Sequence, residues 1–374
     1  MKVLVCIPCL LTGGTEIQTL NLVQALVEGG HEVTTVCYFE FSPEMVQRYE
    51  QAGSKVKLLS SNGTRPVGVW HTLTLLFKGL RRVVKSCHPD VAHVQYMAPG
   101  AIPIFILRLL GVKKIIATTH TAADIYPNLR LLHFVVKHIL VAFQCITLRA
   151  EESYFGSSTL YSEAYELRKK GNHFTIYNAL SAYIKPAEEA KEYHSTLQIG
   201  VVSRLELIKG MDLVVPAFAN VHRKYPHTHL LVVGDGGQRE LMERQCDEYG
   251  VKEVATFVGR KGQDELQSYY DEIDILLMPS RSEGFGLTAI EGMARGCVVV
   301  ASNVGGLPEV VSEDSGVLFE SESIENLTQK INDLIESSDS LMLFSKQSRK
   351  RVELFSSDRF SQNIQNLYRK LSDL

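Results

Sequence analysis

Residues 274–302 read DILLMPSRSEGFGLTAIEGMARGCVVVAS, and this stretch decides the fold class. An apolar run ends at Pro279 and Ser280, a glycine-bearing loop follows, and a helix-like stretch leads to a second apolar run over 298–301. Buried parallel strands look like this, because helices cover both faces of the sheet and polar alternation is lost. A helix beginning after Gly286 would direct unpaired N–H groups and its dipole toward an anion. The stretch therefore predicts a parallel α/β sheet with an anion site.

The same alternation of short apolar runs and helix-like segments extends along the chain in two series. It predicts two doubly wound, Rossmann-like domains, each built from β-α-β units. The first is predicted over residues 1–180 and the second over 181–355, with a charged linker over 181–195 and a terminal amphipathic helix over 356–374. Periodicity leaves open whether that helix packs on its own domain or crosses back to the first. The predicted strands are 3–7, 32–38, 56–59, 91–95, 114–119 and 143–148, then 197–202, 229–233, 255–258, 273–278, 298–301 and 316–319.

The composition is that of a globular protein with about two domains. Of 374 residues, 45% are hydrophobic and 22% charged, which excludes a disordered, collagen-like or disulfide-scaffold chain. No apolar run reaches the ~20 residues of a membrane-spanning helix. No cleavage site follows the short apolar N-terminus, and the seven cysteines, an odd number, suit a reducing compartment. The expected location is cytoplasmic, either free or peripheral on the inner face of the membrane.

Charge is distributed unevenly along the chain. Residues 1–180 contain 18 Lys and Arg against 12 Asp and Glu, a balance of +6, and the remaining residues have a balance of −9. The asymmetry favours an anionic partner for the first half, such as a phospholipid surface or a lipid-diphosphate acceptor, or it reflects only domain solubility. A helix predicted over 128–145 has one narrow polar stripe, formed by Arg130, His133, Lys137 and Gln144. That stripe is either the wet edge of a buried helix or a membrane-surface face.

Two carboxylates, Glu283 and Glu291, flank the predicted anion site. In a fully helical stretch their separation corresponds to a rise of ~12 Å, whereas the paired carboxyl groups of a retaining glycosidase lie ~5 Å apart. The spacing better suits the two ends of an extended ligand with a diphosphate between them. Alternatively, Glu283 is an acid favoured by the helix dipole and Glu291 is a surface helix residue.

The segment resembles the E-x7-E motif of glycosyltransferase family 4, and further motifs follow in that family's order along most of the chain. In the second half they are VVSRLELIKGMDLVVPAF, VVGDGGQREL and ATFVGR. In the first half they are GGTE at 13–16, GGHEV at 29–33, HPDVAHVQ and IIATTHT. The resemblance implies the GT-B fold, in which two Rossmann-like domains face each other across a cleft, and transfer of a sugar from a nucleotide-sugar with retained configuration.

The resemblance also implies roles for single residues. Glu283 would bind hydroxyls of the donor sugar, Glu291 would bind the ribose hydroxyls, and His120 would lie against the donor sugar. Arg204 and Lys209 would grip the diphosphate, whose negative charge increases in the transition state. The alternatives are solvated surface cations for Arg204 and Lys209 and a structural role for His120. With Glu283, His120, Arg204 and Lys209 as the candidate catalytic set, further donor contacts are implied for Gly13, Gly14, Gly234, Arg260, Phe285, Gly286, Leu287, Thr288 and Glu291.

The predicted function is therefore metal-independent transfer of a hexosyl or N-acetylhexosaminyl group to a glycan or a lipid-linked sugar. The donor is expected to bind the second domain and the acceptor the first. The frequency of UDP-sugars in the family suggests UDP as the donor nucleotide. No cofactor or nucleic acid is expected. No D-x-D motif follows a strand, and the pair Cys6 and Cys9 lacks a second pair of metal ligands. An epimerase or phosphorylase of the same fold, or a non-catalytic glycan-binding subunit, is the alternative. The missing G-x-G-x-x-G argues against a dinucleotide-dependent dehydrogenase.

Overall fold

The computed structural model describes residues 1–95, 101–122, 128–189, 191–193 and 195–374. They form two compact units: Met1–Ala179 with Ser357–Leu374, and Leu180–Ser356. In the linker predicted over 181–195, Ala190 and His194 lie outside the described residues, and the described remainder contains no helix or strand.

The strands are short, and most are buried along their whole length, as expected for sheets covered on both faces. In the first unit they are β1 (Lys2–Ile7), β2 (Glu32–Cys37), β3 (Lys55–Leu58), β4 (Val91–Gln95), β5 (Lys114–Thr118), β6 (Ala142–Cys145) and β7 (Asn172–Thr175). In the second they are β8 (Leu197–Val202), β9 (Thr228–Val233), β10 (Ala255–Gly259), β11 (Ile275–Met278), β12 (Val298–Ser302) and β13 (Val317–Phe319).

Helices connect these strands as the β-α-β pattern predicts. In the first unit they are α1 (Gly14–Glu28), α2 (Pro43–Gln51), α3 (Val69–Cys87), α4 (Ile102–Leu109), α5 (Leu129–His138) and α6 (Leu148–Phe155). They continue with α7 (Met211–Lys224), α8 (Arg239–Glu248), α9 (Leu266–Glu272), α10 (Leu287–Ala294), α11 (Leu307–Val310), α12 (Ile324–Glu336), α13 (Ser338–Val352) and α14 (Ser357–Ser372). Among the described helices, none is long and apolar enough to cross a bilayer.

Both sheets are parallel and doubly wound, which confirms the predicted fold class. The first has the order β3-β2-β1-β4-β5-β6-β7, and the second has β10-β9-β8-β11-β12-β13. The strand order therefore reverses between β1 and β4 and again between β8 and β11. In open α/β sheets, ligands bind at such a switch point, outside the carboxyl ends of the strands.

Helix α14 packs on the first unit, although it follows the second in the chain. The Tyr368 hydroxyl lies 2.9 Å from Nδ1 of the buried His93 in β4. The Lys114 ammonium donates a hydrogen bond to the carbonyl of Leu371 at 2.6 Å. The apolar side of α14, which includes Ile364 and Leu367, joins the core beneath α1. This packing answers the question that the periodicity of the terminal helix left open.

Two local predictions in the first unit are wrong. The helix predicted over 128–145 ends at His138, and its last residues form β6, where Gln144 is 4% exposed. The residues from Ile139 to Val141 are buried, and the N–H of Val141 bonds to the carbonyl of Ile115, so the chain has already entered the sheet. Gln144 therefore does not belong to the polar stripe. Strand β7 was missed because its sequence, NHFT, lacks an apolar run.

Candidate functional site

The switch point of the second sheet brings two predicted site residues into contact. Lys209 lies in a single 3-10 turn, Leu207–Lys209, after β8, and Glu283 lies in the loop after β11. The Lys209 ammonium lies 2.6 Å from Oε2 of Glu283, and the side chains are 20% and 16% exposed. Partial burial reduces solvent screening, so this pair is electrostatically stronger than a fully exposed one. A cation and a carboxylate are thus held together where a ligand would bind.

Two glycines permit the close backbone approach of these loops. A Cβ at Gly210, which has φ +67°, would lie 1.9 Å from the carbonyl oxygen of Pro279. A Cβ at Gly305, which has φ +53°, would lie 1.9 Å from the carbonyl oxygen of Glu283. That carbonyl also accepts a hydrogen bond from the N–H of Gly306 at 3.0 Å. The loop that carries Glu283 is therefore fixed by main-chain contacts that only glycine allows at these positions.

Helix α10 begins with free amide groups beside Glu283. Gly286 has φ +104° and precedes the helix without a side-chain cap. Within the described chain, the N–H groups of Gly286, Leu287 and Thr288 have no hydrogen-bond acceptor. Phe285 is 3% exposed and its ring meets Phe355 edge to face, so its side chain points into the core. Amides at the positive end of a helix favour an anion, so the geometry is compatible with the predicted anion site, and anion binding here stays a prediction.

Glu291 lies inside the fold, on α10, and has its own partner. Its Oε2 accepts a hydrogen bond from the Tyr270 hydroxyl at 2.8 Å. Burial raises the pKa of Glu291 from 4.5 to about 7, and the hydrogen bond from Tyr270 opposes part of that rise. The two carboxylates thus have separate partners, Lys209 for Glu283 and Tyr270 for Glu291, as expected if they do not work as a catalytic pair.

The raised pKa of Glu291 predicts a pH-dependent stability. Between pH 4.5 and about 7 the folded protein binds more protons at this site than the unfolded chain, so stability falls as pH rises through that window. The loss is on the order of 3 kcal/mol and is complete above the folded pKa. We expect Glu291→Gln to abolish this loss, measured by urea unfolding across the window.

Tyr270→Phe provides the control, because it removes a hydrogen bond that favours the charged carboxylate. In this variant the window should extend to higher pH. Identical pH profiles for wild type and both variants would contradict the assignment of the titration to Glu291.

Arg281 is a site residue that the sequence analysis missed. Its guanidinium binds both oxygens of Asp212 at 2.7 and 2.9 Å and both oxygens of Glu322 at 2.6 and 2.9 Å. It also donates to the carbonyl of Leu207, and its own N–H bonds to the carbonyl of Ile208. Arg281 therefore ties the turn that carries Lys209 to the loop that carries Glu283. The position of Arg281, two residues before Glu283, was visible in the sequence, but the hydrogen-bond partners of its guanidinium were not.

The other donor-binding candidates of the second unit lie near the same sheet edge. Arg204 and Arg260 follow β8 and β10 and are exposed, and their guanidinium groups form no hydrogen bond or ion pair with any described residue. Gly234 has φ +137°, and a Cβ there would lie 1.8 Å from the carbonyl oxygen of Ser203. The close packing of Gly234 against Ser203 therefore accounts for the requirement for glycine at this position, without any contact to a ligand. The grip of Arg204 and Lys209 on a diphosphate stays a prediction.

His120 follows β5 in the first unit and is only 8% exposed. Its Nε2 lies 3.0 Å from Oε1 of Gln95, the last residue of β4. Burial lowers the pKa of His120 to about 4, so the imidazole is neutral at pH 7 and its Nε2–H donates to the amide oxygen. The side chain is thereby oriented, and it serves as a neutral hydrogen-bonding group rather than as a cation.

Gly13 and Gly14 lie where α1 begins, at the switch point of the first sheet. A Cβ at Gly13 would lie 2.5 Å from Oε2 of Glu16, so the carboxylate of this helix's first turn occupies that space. The other oxygen of Glu16 accepts a hydrogen bond from the Cys9 thiol at 3.1 Å. Burial and the nearby carboxylate raise the pKa of that thiol. A ligand atom at the Cβ position of Gly13 would have to displace the Glu16 carboxylate.

Each of the seven cysteines is a thiol outside any disulfide. In the described ranges, no cluster of three or more His, Cys, Asp or Glu side chains could hold a metal ion.

Two family models match this chain. The model for glycosyl transferases group 1 matches residues 185–351, and the model for Glycosyltransferase Family 4 matches residues 12–150. Together they span most of both sheets. The chain belongs to glycosyltransferase family 4. The predicted recognition is therefore confirmed, and the protein is a glycosyltransferase.

Relatives agree with this membership, and a solved structure agrees with the fold. A Haemophilus influenzae protein named an uncharacterized glycosyltransferase is 26% identical over 343 residues, 90% of this chain and 91% of the relative. The GDP-mannose-dependent alpha-(1-6)-phosphatidylinositol monomannoside mannosyltransferase of Mycobacterium tuberculosis is 26% identical over 285 residues, 71% of this chain and 74% of the relative. The structure of Anabaena HepE in complex with UDP and glucose has a TM-score of 0.78 at 18% identity, with 100% of each chain covered. The fold is thus of the GT-B type.

Proposed function

We propose that this family 4 protein transfers a hexosyl or N-acetylhexosaminyl group from a nucleotide-diphosphate sugar, with retention of configuration and without a metal ion. The observation that carries the proposal is the arrangement at the second switch point. There the Lys209–Glu283 pair lies in the loops beside the uncapped start of α10. A diphosphate needs cations and amide donors, and a sugar needs a hydroxyl acceptor; this arrangement offers all three.

Each group has a defined task in the proposed reaction. Lys209 and Arg204 bind the diphosphate, and the amides of Gly286, Leu287 and Thr288 receive its oxygens. As the bond to the sugar breaks, negative charge increases on the departing phosphate, and preorganised cations and dipoles lower the energy of that state. The charge of these groups takes the part that Mg²⁺ plays in other phosphate enzymes. In front-face attack, the acceptor hydroxyl oxygen forms its bond to the anomeric carbon on the face from which the phosphate departs, and its proton passes to the departing phosphate oxygen. This route needs no protein nucleophile.

The carboxylates bind the two ends of the donor. Glu283 accepts hydrogen bonds from sugar hydroxyls, and its contact with Lys209 at 2.6 Å orients it for that task. Glu291, on the neighbouring helix, accepts hydrogen bonds from the ribose hydroxyls in its ionised form. For His120, contact with the donor sugar stays a prediction from the family, supported by its strand-end position and its neutral, oriented imidazole.

The donor base and the acceptor are also proposals. We take UDP as the donor nucleotide, which the family's usage and the UDP-bound HepE structure support. The Mycobacterium relative is named for GDP-mannose, so GDP is the competing choice. That relative is also named for a phosphatidylinositol-linked acceptor, which supports a lipid-linked sugar here. An acceptor of this kind places the protein at a membrane surface, in glycoconjugate or polysaccharide synthesis.

Product analysis tests the proposal. A thermal-shift screen of UDP- and GDP-sugars identifies the donor, because a ligand that binds only the folded state raises Tm. With that donor, we expect free nucleoside diphosphate only when an acceptor is present, and the same rate after addition of EDTA. NMR of the product should show the anomeric configuration of the donor. A changed sugar still attached to its nucleotide would mean an epimerase, and binding without any product would mean a non-catalytic subunit.

A further inference from the structure

Three helices of the first unit, α3, α4 and α5, cover the same face of its sheet. Their inward residues, such as Leu80, Ile104 and Val135, are fully buried in one hydrophobic cluster with the strands beneath them. The opposite face is covered by α1, α2 and α14. The outward side of the α3–α5 layer therefore belongs to the first unit, whereas the proposed donor site belongs to the second.

Large apolar side chains are exposed on this outward side. Trp70 is 81% exposed and Leu109 is 76% exposed, and both lie in the described part of the layer. Val69, Phe105 and Phe134 are also exposed, at 70%, 40% and 52%. Single exposed apolar residues are ordinary on protein surfaces, but a concentration of aromatic and aliphatic side chains on one layer marks an interaction site.

The charges of the same layer have one sign. The three helices contain no Asp or Glu, and their cations are Lys78, Arg81, Arg82, Lys85, Arg108, Arg130 and Lys137. Within the described residues, these cations form no ion pair. The layer on the other face is mixed, because α1 and α2 contain Glu28, Glu44 and Glu50. The positive bias thus belongs to α3, α4 and α5, because α6, which packs beside α5 on the same side of the sheet, contains Glu151 and the exposed Glu152.

Helix α3 combines both properties on one stripe. Trp70, Phe77 and Arg81 are spaced by seven and four residues, so they lie on the same side of the helix. Lys78 and Lys85 border that stripe, and both are exposed. An aromatic ring beside long basic side chains is the arrangement of helices that lie in a membrane interface, where indole rings and cations meet the headgroups.

We infer that the outward side of the α3–α5 layer docks on the anionic surface of a phospholipid bilayer. The inference rests on the proposed use of a lipid-linked acceptor and names the surface that would bring the enzyme to it. Seven cations complement anionic headgroups, and Trp70, Leu109 and Phe134 supply apolar area that can enter the headgroup region. A nucleic acid would match the cations but would leave these apolar side chains in water.

The intrinsic fluorescence of Trp70 provides a direct test, because it is the only tryptophan of the chain. The full-length protein is mixed with vesicles of phosphatidylcholine alone or of phosphatidylcholine with an equal part of phosphatidylglycerol. We expect a blue shift of the emission only with the anionic vesicles. The shift should decrease with added salt, because the attraction between exposed charges is screened.

Matched charge variants separate this surface from general electrostatics. The triple variant Lys78→Gln, Arg81→Gln, Lys85→Gln should bind anionic vesicles about a hundredfold more weakly, at about fivefold per charge. The triple variant Arg244→Gln, Lys346→Gln, Lys350→Gln removes three exposed cations of the second unit and should bind like wild type. Leu109→Ser retains the charges and the reporter, and should weaken binding about tenfold.

Several results would overturn the inference. These are the absence of a blue shift with anionic vesicles at low ionic strength, equal binding by the two triple variants, and a dimer in sedimentation that Leu109→Ser dissociates. The last result would make this face a contact between two copies. Thermal shift by UDP, and transfer to a soluble acceptor analogue, should be unchanged in all variants. Loss of those activities with normal vesicle binding would count against the proposed function and leave the docking surface standing.

Discussion

Glu283→Gln is expected to lower the rate of sugar transfer by a factor on the order of 10²–10³, the effect of losing one preorganised group that stabilises the transition state. The substitution retains the size of the side chain and removes the charge that faces Lys209 at 2.6 Å. Nucleotide binding should persist, because the cations and the amides of α10 remain. Steady-state kinetics and calorimetric titration with UDP measure the two effects separately.

Two comparison variants sharpen this experiment. Lys209→Met should weaken UDP binding, since it removes a cation from the proposed diphosphate site. Glu325→Gln makes the same charge change at an exposed position in α12, and should leave both measurements unchanged. Equal loss of UDP binding in Glu283→Gln and Lys209→Met would mean that Glu283 serves only to position the cation and does not contact the sugar.

Gly305→Ala is expected to destabilise the second unit and to abolish transfer. The added Cβ would lie 1.9 Å from the carbonyl oxygen of Glu283, so the loop carrying that residue must move. A left-handed alanine costs about 1–2 kcal/mol and overpacking against rigid backbone about 1–3 more, so we expect a loss of roughly 3–4 kcal/mol. For a unit of this size that corresponds to a Tm lower by about 10 °C.

Gly250→Ala isolates the two causes. Gly250 has φ +69°, close to the value at Gly305, but a Cβ there meets no atom within 4 Å. This variant should lose only the conformational part, about 1–2 kcal/mol, and should retain full activity. If Gly305→Ala has the same small effect on Tm and on transfer, the backbone contact does not hold Glu283 in place.

Much of the fold could be predicted because its signals are local. The apolar runs that become β8 and β11 are short and bounded by polar or glycine residues, and their parallel pairing follows from the alternation with helices. The start of α10 could also be predicted, because Gly286 and the apolar helix that follows it are adjacent in the sequence. Strand β7 and the end of α5 could not be predicted, because pairing with neighbouring strands decides their structure against the local sequence pattern.

The parts of the site that escaped prediction depend on distant residues. Arg281 acts through Asp212 and Glu322, on other elements of the unit. The requirement for glycine at 305 comes from a carbonyl at Glu283, which local sequence does not reveal. The neutral state of His120 likewise comes from burial by the whole first unit. Composition and spacing indicated which groups take part, but burial and partners required the folded chain.

The position of α14 has a consequence for biosynthesis. Because this helix completes the core of the first unit, the second unit is topologically an insertion into the first. A ribosome delivers the strands β1–β7 early, yet the surface of α1 that α14 covers stays bare until the final residues emerge. The inserted unit has all of its own elements by then, so its folding does not have to wait for α14, whereas completion of the first unit does.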